Sequence, residues 1–329
     1  MKSETSEIPS VRLGKDGLKV GVQGLGTMAM ATGIYGATDE TEARATLERT
    51  LDRGVTLFDT ADIYGDGAGE SFVGSFVREH RDQVVLATKF GFVKTNDEGN
   101  PYRIDNSPEF IYKAVDASLR RLGIDHIDLY YMHRRNREVP LADAIGAMAE
   151  LVKAGKVRYL GLSEVTGDEL RQAHAIHQIA AVQSEWSLFS RDVEQSSVPV
   201  AAELDIAFVP FSPLGRGMLS GMVDAAKLDD GDVRRQFPRF ADDHAQANFH
   251  LVQKIAHLAA ERGATPAQIA LSWVHSRSQA HGLTVVPIPG TRKRNRLEEN
   301  LGALDIQLTQ TELAVLERLA ASVQGIRGA

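Results

Sequence analysis

Four residues pose the chemical question: Asp59, Tyr64, Lys89 and His133. A carboxylate, a phenol, an amine and an imidazole are the groups that move a proton to or from a carbonyl oxygen. Asp59 ends the apolar run Val55-Thr56-Leu57-Phe58, and Tyr64 follows on a turn with Gly65, Gly67 and Gly69. Lys89 closes VVLATK and His133 closes IDLYYMH, so each of these ionisable groups ends a strand-like segment. Burying Asp59 is costly unless a cation pairs with it, and Lys89 is the expected partner. A free phenol titrates near pH 10, so acid–base work at neutral pH asks for a drop of up to about three units, or about 4 kcal/mol. One ammonium about 4 Å away, at an effective dielectric of about 20, supplies energy of that order, less what Asp59 cancels. His133 would orient the substrate oxygen and could share the donor role. No side chain carries a hydride, so a reduction needs a cofactor.

The elements around these residues alternate between two periods. Strands are predicted over 21–26, 55–59, 84–89, 127–133, 157–163, 180–183, 206–212 and 283–289, with helices over 42–53, 71–79, 108–122, 141–154, 168–176 and 192–204. Ser107-Pro108-Glu109 is a helix start, and Gly54, Gly123 and Gly155 stand where helices stop. Such alternation predicts a parallel (β/α)8 TIM barrel in one domain spanning 1–329. A doubly wound sheet is the alternative, but no GxGxxG follows the first strand. A barrel demands its catalytic residues at the carboxyl ends of strands, where Asp59, Lys89 and His133 fall. Additions to the barrel are an amino-terminal hairpin over 11–20, a long connection over 213–282 and a last helix over 310–321. The connection holds a polar stretch, 224–246, expected as a lid or binding element, and helices over 250–262 and 266–277.

Bulk properties narrow the function further. A formal charge of −7 disfavours a nucleic-acid or anionic-membrane partner. Absence of cysteine excludes disulfides and thiolate metal sites. Residues 1–10 hold no apolar signal core and no run of about eighteen apolar residues occurs, so a cytoplasmic location without a membrane partner is expected. His174 and His177 share a helix face without carboxylates, and no metal is expected. Arg134, Arg135 and Arg137 would edge the substrate mouth, either favouring an anionic substrate or merely solvated. The segment PIPGTRKRNRLEEN, 287–300, sets Arg292, Lys293, Arg294 and Arg296 around a helix start, a physically sound phosphate site. Oligomeric state is not legible.

From Leu13 to about Leu319 the chain resembles the aldo-keto reductases. The order, context and spacing of Asp59, Tyr64, Lys89 and His133 match that family's catalytic tetrad, and GLSE (161–164) with VQSEWSL (182–188) resembles a plant and bacterial branch. The resemblance implies a barrel that binds NADP(H) and reversibly reduces an aldehyde or ketone, with Tyr64 as proton donor. It implies that Ser163 and Gln183 hold the nicotinamide carboxamide. Glu164 stands where much of the family has Asn, and a carboxylate can accept from that amide but not donate to it. Phe211 would stack on the ring, and Ser212, Pro213, Leu214, Gly215, Arg216 and Gly217 would fold over the pyrophosphate. Gly290 and Thr291 lead to Arg292 and Arg296 on the 2′-phosphate, with Glu299 and Asn300 beside the adenine. Gly26, Thr27 and Met28 would border the cofactor; Met28, Met30, Tyr64, His133 and Trp186 would line an apolar substrate pocket. Two alternatives share the scaffold: a Schiff-base lyase using Lys89, and a non-enzymatic NADP-binding subunit.

Overall fold

Short β-rich runs bounded by turns build the sheet, and a computed structural model describes residues 7–31, 34–97, 101–223, 227–228 and 232–327. Strands β1 (Ser10–Arg12) and β2 (Lys19–Gly21) pair antiparallel with Val11 opposite Val20. Then come β3 (Leu25–Gly26), β4 (Leu57–Asp59), β5 (Val85–Phe90), the hairpin β6 (Phe92–Lys94) and β7 (Tyr102–Ile104), β8 (Ile127–Met132), β9 (Val157–Ser163), β10 (Ile179–Glu185) and β11 (Ala207–Phe211). The main sheet runs β3-β4-β5-β8-β9-β10-β11 reversed in order of bonding, every neighbouring pair parallel. Residues 284–290 supply the eighth stave. The Phe208 amide donates to Thr284 O at 2.8 Å and the Ile288 amide to Pro210 O at 3.0 Å, while the Gly24 amide donates to Pro287 O at 2.9 Å. The sheet therefore closes on itself as a TIM barrel, and Gly26 pairs with Gly290 at the seam. A side chain at Gly26 would meet Ile288 O at 2.8 Å, so the seam itself requires glycine there.

Around the barrel lie α1 (Glu40–Asp52), α2 (Ala68–Glu79), α3 (Pro108–Leu122), α4 (Leu141–Lys153), α5 (Gly167–Ile176), α6 (Ser197–Glu203), α7 (Asp242–Glu261), α8 (Pro266–His281), α9 (Arg294–Leu301) and α10 (Gln310–Ala320). The period-2 alternation along the strands divides the core into two layers. Phe58, Leu86, Tyr130, Leu160 and Val182 pack outward against helices. Leu57, Ala87, Leu129, Tyr131, Ala181, Val209 and Ile288 fill the barrel, and Leu13, Leu18 and Val20 of the hairpin join that cluster. Tyr131 needs room inside: a side chain at Gly161 would lie 2.4 Å from its ring. Filled by side chains, the barrel leaves chemistry only to its carboxyl-end mouth.

Three features depart from the sequence reading. The predicted helix over 192–204 is broken into a 3-10 turn, Asp192–Gln195, and α6, because Ser196 takes φ −129° and ψ −91° between them. Of the polar stretch 224–246, residues 224–226 and 229–231 lie outside the described residues; Val233–Gln236 and Pro238–Phe240 are 3-10 turns, and α7 already starts at Asp242. The β6–β7 hairpin escaped notice because strands of three residues are too short to raise a period. Among the described residues no helix is long and apolar enough to cross a membrane.

Candidate active site

Neighbouring staves bring the four ionisable residues together. Asp59 ends β4, Lys89 lies one residue before the end of β5 and His133 directly follows β8; Tyr64 comes from the turn after β4. The Lys89 ammonium donates to Asp59 Oδ1, to Thr60 O at 2.8 Å and to the Tyr64 hydroxyl at 3.5 Å. Its three hydrogens are thus committed, and one points at the phenol oxygen. Asp59 Oδ2 accepts from Gln183 Nε2 at 2.8 Å. The Tyr64 and His133 rings meet edge to face with centroids 6.2 Å apart, and Phe92 backs the imidazole at 4.9 Å. Phe92 belongs to the unforeseen hairpin, so β6 helps to hold His133.

Electrostatics follow from depth. Lys89 and Asp59 are about 1% and 2% exposed. Burial works against the Lys89 ammonium, yet Asp59 and then Tyr64 more than offset it and hold the amine above its ordinary range. The expected acidification of Tyr64 is not what this environment produces. Burial pushes the phenol up; Lys89 pulls it down, Asp59 opposes Lys89, and the balance leaves Tyr64 above its usual 10. Desolvation exceeds the ammonium field here because the carboxylate beside the ammonium cancels much of it. Burial, aided by Lys89 and Arg134, drives His133 well below 6.5 and keeps its imidazole neutral. At neutral pH the mouth therefore holds a protonated phenol polarised by an ammonium.

A cavity of about 490 Å³ opens from this cluster, of a size that takes cofactors and small ligands. Its wall runs from Asp59, Tyr64 and His133 past Ser163, Gln183 and Phe211, along Ser212 to Leu214, and out to Gly290 and Lys293. Positive φ recurs around it: Glu164 (53°) and Ser212 (47°) directly follow β9 and β11, and Arg216 (55°) lies in the turn beyond. The profile of the aldo/keto reductase family matches residues 24–321. This chain belongs to that family. Like its other members, this aldo-keto reductase is an oxidoreductase of carbonyl and alcohol groups, a family that generally works with a nicotinamide cofactor. The chain is 39% identical over 310 residues to a probable aldo-keto reductase 1 from Glycine max, covering 94% of this chain and 88% of the relative. Its fold is similar to the solved glycerol dehydrogenase of Gluconobacter oxydans, with a TM-score of 0.83 at 26% identity over 95% of each chain.

In this aldo-keto reductase several expected contacts stand elsewhere. Glu164 is paired with Arg327, at 2.9 and 2.6 Å, also accepts from the Glu185 amide, and does not line the cavity. Arg216 stacks 4.1 Å over Phe237 and donates to Glu185 Oε2 at 2.9 Å, so its charge is compensated before any phosphate arrives. Arg292 donates to Ala29 O, Tyr35 O and Thr38 Oγ1, tying down the loop after β3. Arg296 pairs with Glu299, Asn300 is buried in α9, and none of the three lines the cavity. Trp186 is buried on the helix side, with its ring 4.9 Å from Phe208 and its Nε1 donating to Glu194, and Met30 is in the same outer core. Neither borders the pocket. Thr27 is buried beneath it, donating to Asp59 O at 2.9 Å, while Gly26 and Met28 do line it. Gly215 is buried behind the wall that Leu214, Arg216 and Gly217 form. His174 accepts from the Ile179 amide at 3.2 Å and serves the turn after α5.

Lining residues overlooked in the sequence are Tyr35, Arg234 and Phe237. Arg234 lies 5.1 Å over the Tyr35 ring, so the described part of the polar stretch reaches the loop after β3 across the cavity. An aromatic residue beside Gly36 on a barrel's active face was the available signal for Tyr35.

Proposed function

We propose that this aldo-keto reductase uses NADPH to reduce an aldehyde or ketone to an alcohol, reversibly, with Tyr64 as the proton donor. The observation that carries the reading is the Lys89 ammonium donating to the Tyr64 hydroxyl oxygen at 3.5 Å, which leaves the phenol hydrogen free for an oxygen in the cavity. When bound, a nicotinamide supplies the hydride. The residues present fit that group. Ser163 accepts weakly from Arg134 at 3.4 Å and keeps its own hydrogen for a carboxamide oxygen. Gln183, whose amide nitrogen is committed to Asp59, offers its oxygen to a carboxamide nitrogen. Phe211 presents a ring to the same wall, and the turn over 212–217 would hold the pyrophosphate. Neutral His133 orients the substrate oxygen. Lys89 does not favour the Schiff-base alternative: its amine is held protonated, with every hydrogen engaged, whereas that chemistry needs a free amine. The glycerol dehydrogenase to which the fold is similar acts on an alcohol, which supports the same reaction run in either direction.

Of the four cations near the start of α9, Arg292 and Lys293 line the cavity without a carboxylate partner among the described residues, whereas Arg294 and Arg296 are paired with Glu42 and Glu299; the Arg292 guanidinium is already engaged by Ala29 O, Tyr35 O and Thr38 Oγ1, which leaves Lys293. Lys293 is therefore the residue to hold the 2′-phosphate. Absorbance at the reduced nicotinamide band, with a panel of aldehydes and ketones, is the test. Turnover with NADPH is expected, and Lys293→Ala should raise KM for NADPH by about tenfold or more while sparing NADH. Equal losses for both coenzymes would remove the 2′-phosphate role, and no turnover with either would remove the function.

The pH dependence follows from the sign of each shift. Reduction uses the protonated phenol, whose pKa is raised above 10, so kcat for reduction should stay level through neutrality and decline only in strong alkali. Oxidation of the alcohol uses the phenolate and should rise with pH over the same range. A neutral, well-depressed His133 adds no step near 6.5. Steady-state profiles in both directions check this; an acid limb centred near 6.5 would make His133 the titrating donor.

A further inference from the structure

The three arginines after β8 have different fates. Arg137, with a side chain 75% exposed, pairs with Glu169 at 3.3 Å, and Arg135 donates to Asn136 O. Arg134 turns into the cavity beside Tyr64 and His133. One of its terminal nitrogens, Nη1, is fixed by His133 O at 2.8 Å and Ser163 Oγ at 3.4 Å, and the guanidinium lies 6.0 Å from the Phe211 ring centre. Its other edge, Nε with Nη2, makes no hydrogen bond among the described residues. That edge is the planar fork that grips a carboxylate with two parallel bonds.

No carboxylate among the described residues bonds Arg134; Glu164 reaches it only through the longer-range field. The acid that acts on it most, Glu164, is itself paired through both oxygens with Arg327. Arg216 is matched by Glu185 at 2.9 Å, Arg234 by Asp232 at 2.6 Å, and Asp59 by Lys89. Lys293 stands at the far end of the cavity wall, by the start of α9. In a chain of net charge −7, a half-buried guanidinium without a carboxylate beside the reacting groups is a site awaiting an anion.

We infer that Arg134 is a specificity residue that binds the carboxylate of the substrate, which makes the substrate class an oxo acid: an aldehyde or ketone that carries a carboxylate within reach of the carbonyl. This rests on the carbonyl reductase reading above and narrows it. Tyr64 would protonate the carbonyl oxygen while the Nε–Nη2 edge of Arg134 holds the acid group, two points that orient the carbonyl carbon.

The test compares each acid with its methyl ester, which keeps shape and removes charge: succinic semialdehyde and 4-carboxybenzaldehyde against their methyl esters, with NADPH. The wild-type kcat/KM should favour the acids by about 10- to 100-fold, mainly through KM. In Arg134→Met that acid-to-ester ratio should collapse toward about one, and Arg134→Lys should recover part of it, having the charge but not the fork. A wild-type enzyme that turns over esters and acids alike would overturn the inference and leave the reductase reading standing. So would an Arg134→Met enzyme that loses both substrates in proportion, since a purely structural arginine leaves the ratio unmoved. Turnover of neither substrate class with either coenzyme would instead defeat the function itself.

Discussion

Replacing Tyr64 by Phe is expected to lower kcat by about 10²- to 10⁴-fold, the range that a positioned general acid contributes. The substitution removes one oxygen and little else. The phenyl ring keeps its edge contact with His133, and Lys89 retains Asp59 and Thr60 O, two of its three acceptors. Cofactor affinity, read by quenching of protein fluorescence, should hardly change, because the wall formed by Ser163, Gln183 and Phe211 is untouched. Any residual reduction should lose the alkaline decline that the phenol causes in the wild type. If the variant turned over comparably, the donor would have to be His133. Burial disfavours the imidazolium that would give up a proton there, and the neutral ring would have to become an imidazolate to do so.

That Asp59, Tyr64, Lys89 and His133 meet was legible in the sequence because three of them end apolar strands, and a closed parallel sheet leaves strand ends only one common meeting place. Asp59, Lys89 and His133 needed nothing more than strand boundaries correct to a residue or two. The segment at the start of α9 read less completely: the resemblance and the helix start pointed to Arg292 and Arg296, of which Arg292 lines the cavity and Arg296 does not. Their partners, the carbonyls of Ala29 and Tyr35 and the carboxylate of Glu299, depend on loop paths and helix phase that charge does not reveal. Glu164 shows the same limit: its occupant, Arg327, is 163 positions away in the chain. Trp186 misled for a simpler reason. It follows β10, where one step in the alternation decides between cavity and outer core, and its ring went to the helices. The phenol pKa was misjudged in sign because an attraction to Lys89 is easy to read from sequence, whereas desolvation is a property of the finished fold.

Substituting Lys89 by Met should be the most destabilising change at the mouth, by about 3–5 kcal/mol, since it strands a buried carboxylate. Asp59 would keep only the Gln183 amide at 2.8 Å. Burial is already the largest influence on Asp59 and pushes its carboxyl up; Lys89 is the largest influence pulling against it. In the variant the folded-state pKa of Asp59 therefore rises further above its unfolded value of about 3.9. The sign of the linkage is set by that order. Between the unfolded and folded values the native state binds the extra proton, so the variant gains stability as pH falls through the folded value and loses it as pH rises. Denaturant midpoints should show the gap from wild type widest near neutrality and narrower in mild acid. Asp59→Asn in the same chain removes the stranded charge, and Lys89→Met with Asp59→Asn should recover most of the loss, an interaction energy that a double-mutant cycle measures. A single Met variant as stable as wild type at every pH would mean that the pair contributes through catalysis alone. Activity separates the roles again: the double variant, stable but without an ammonium to polarise Tyr64, should remain about as slow as the single one.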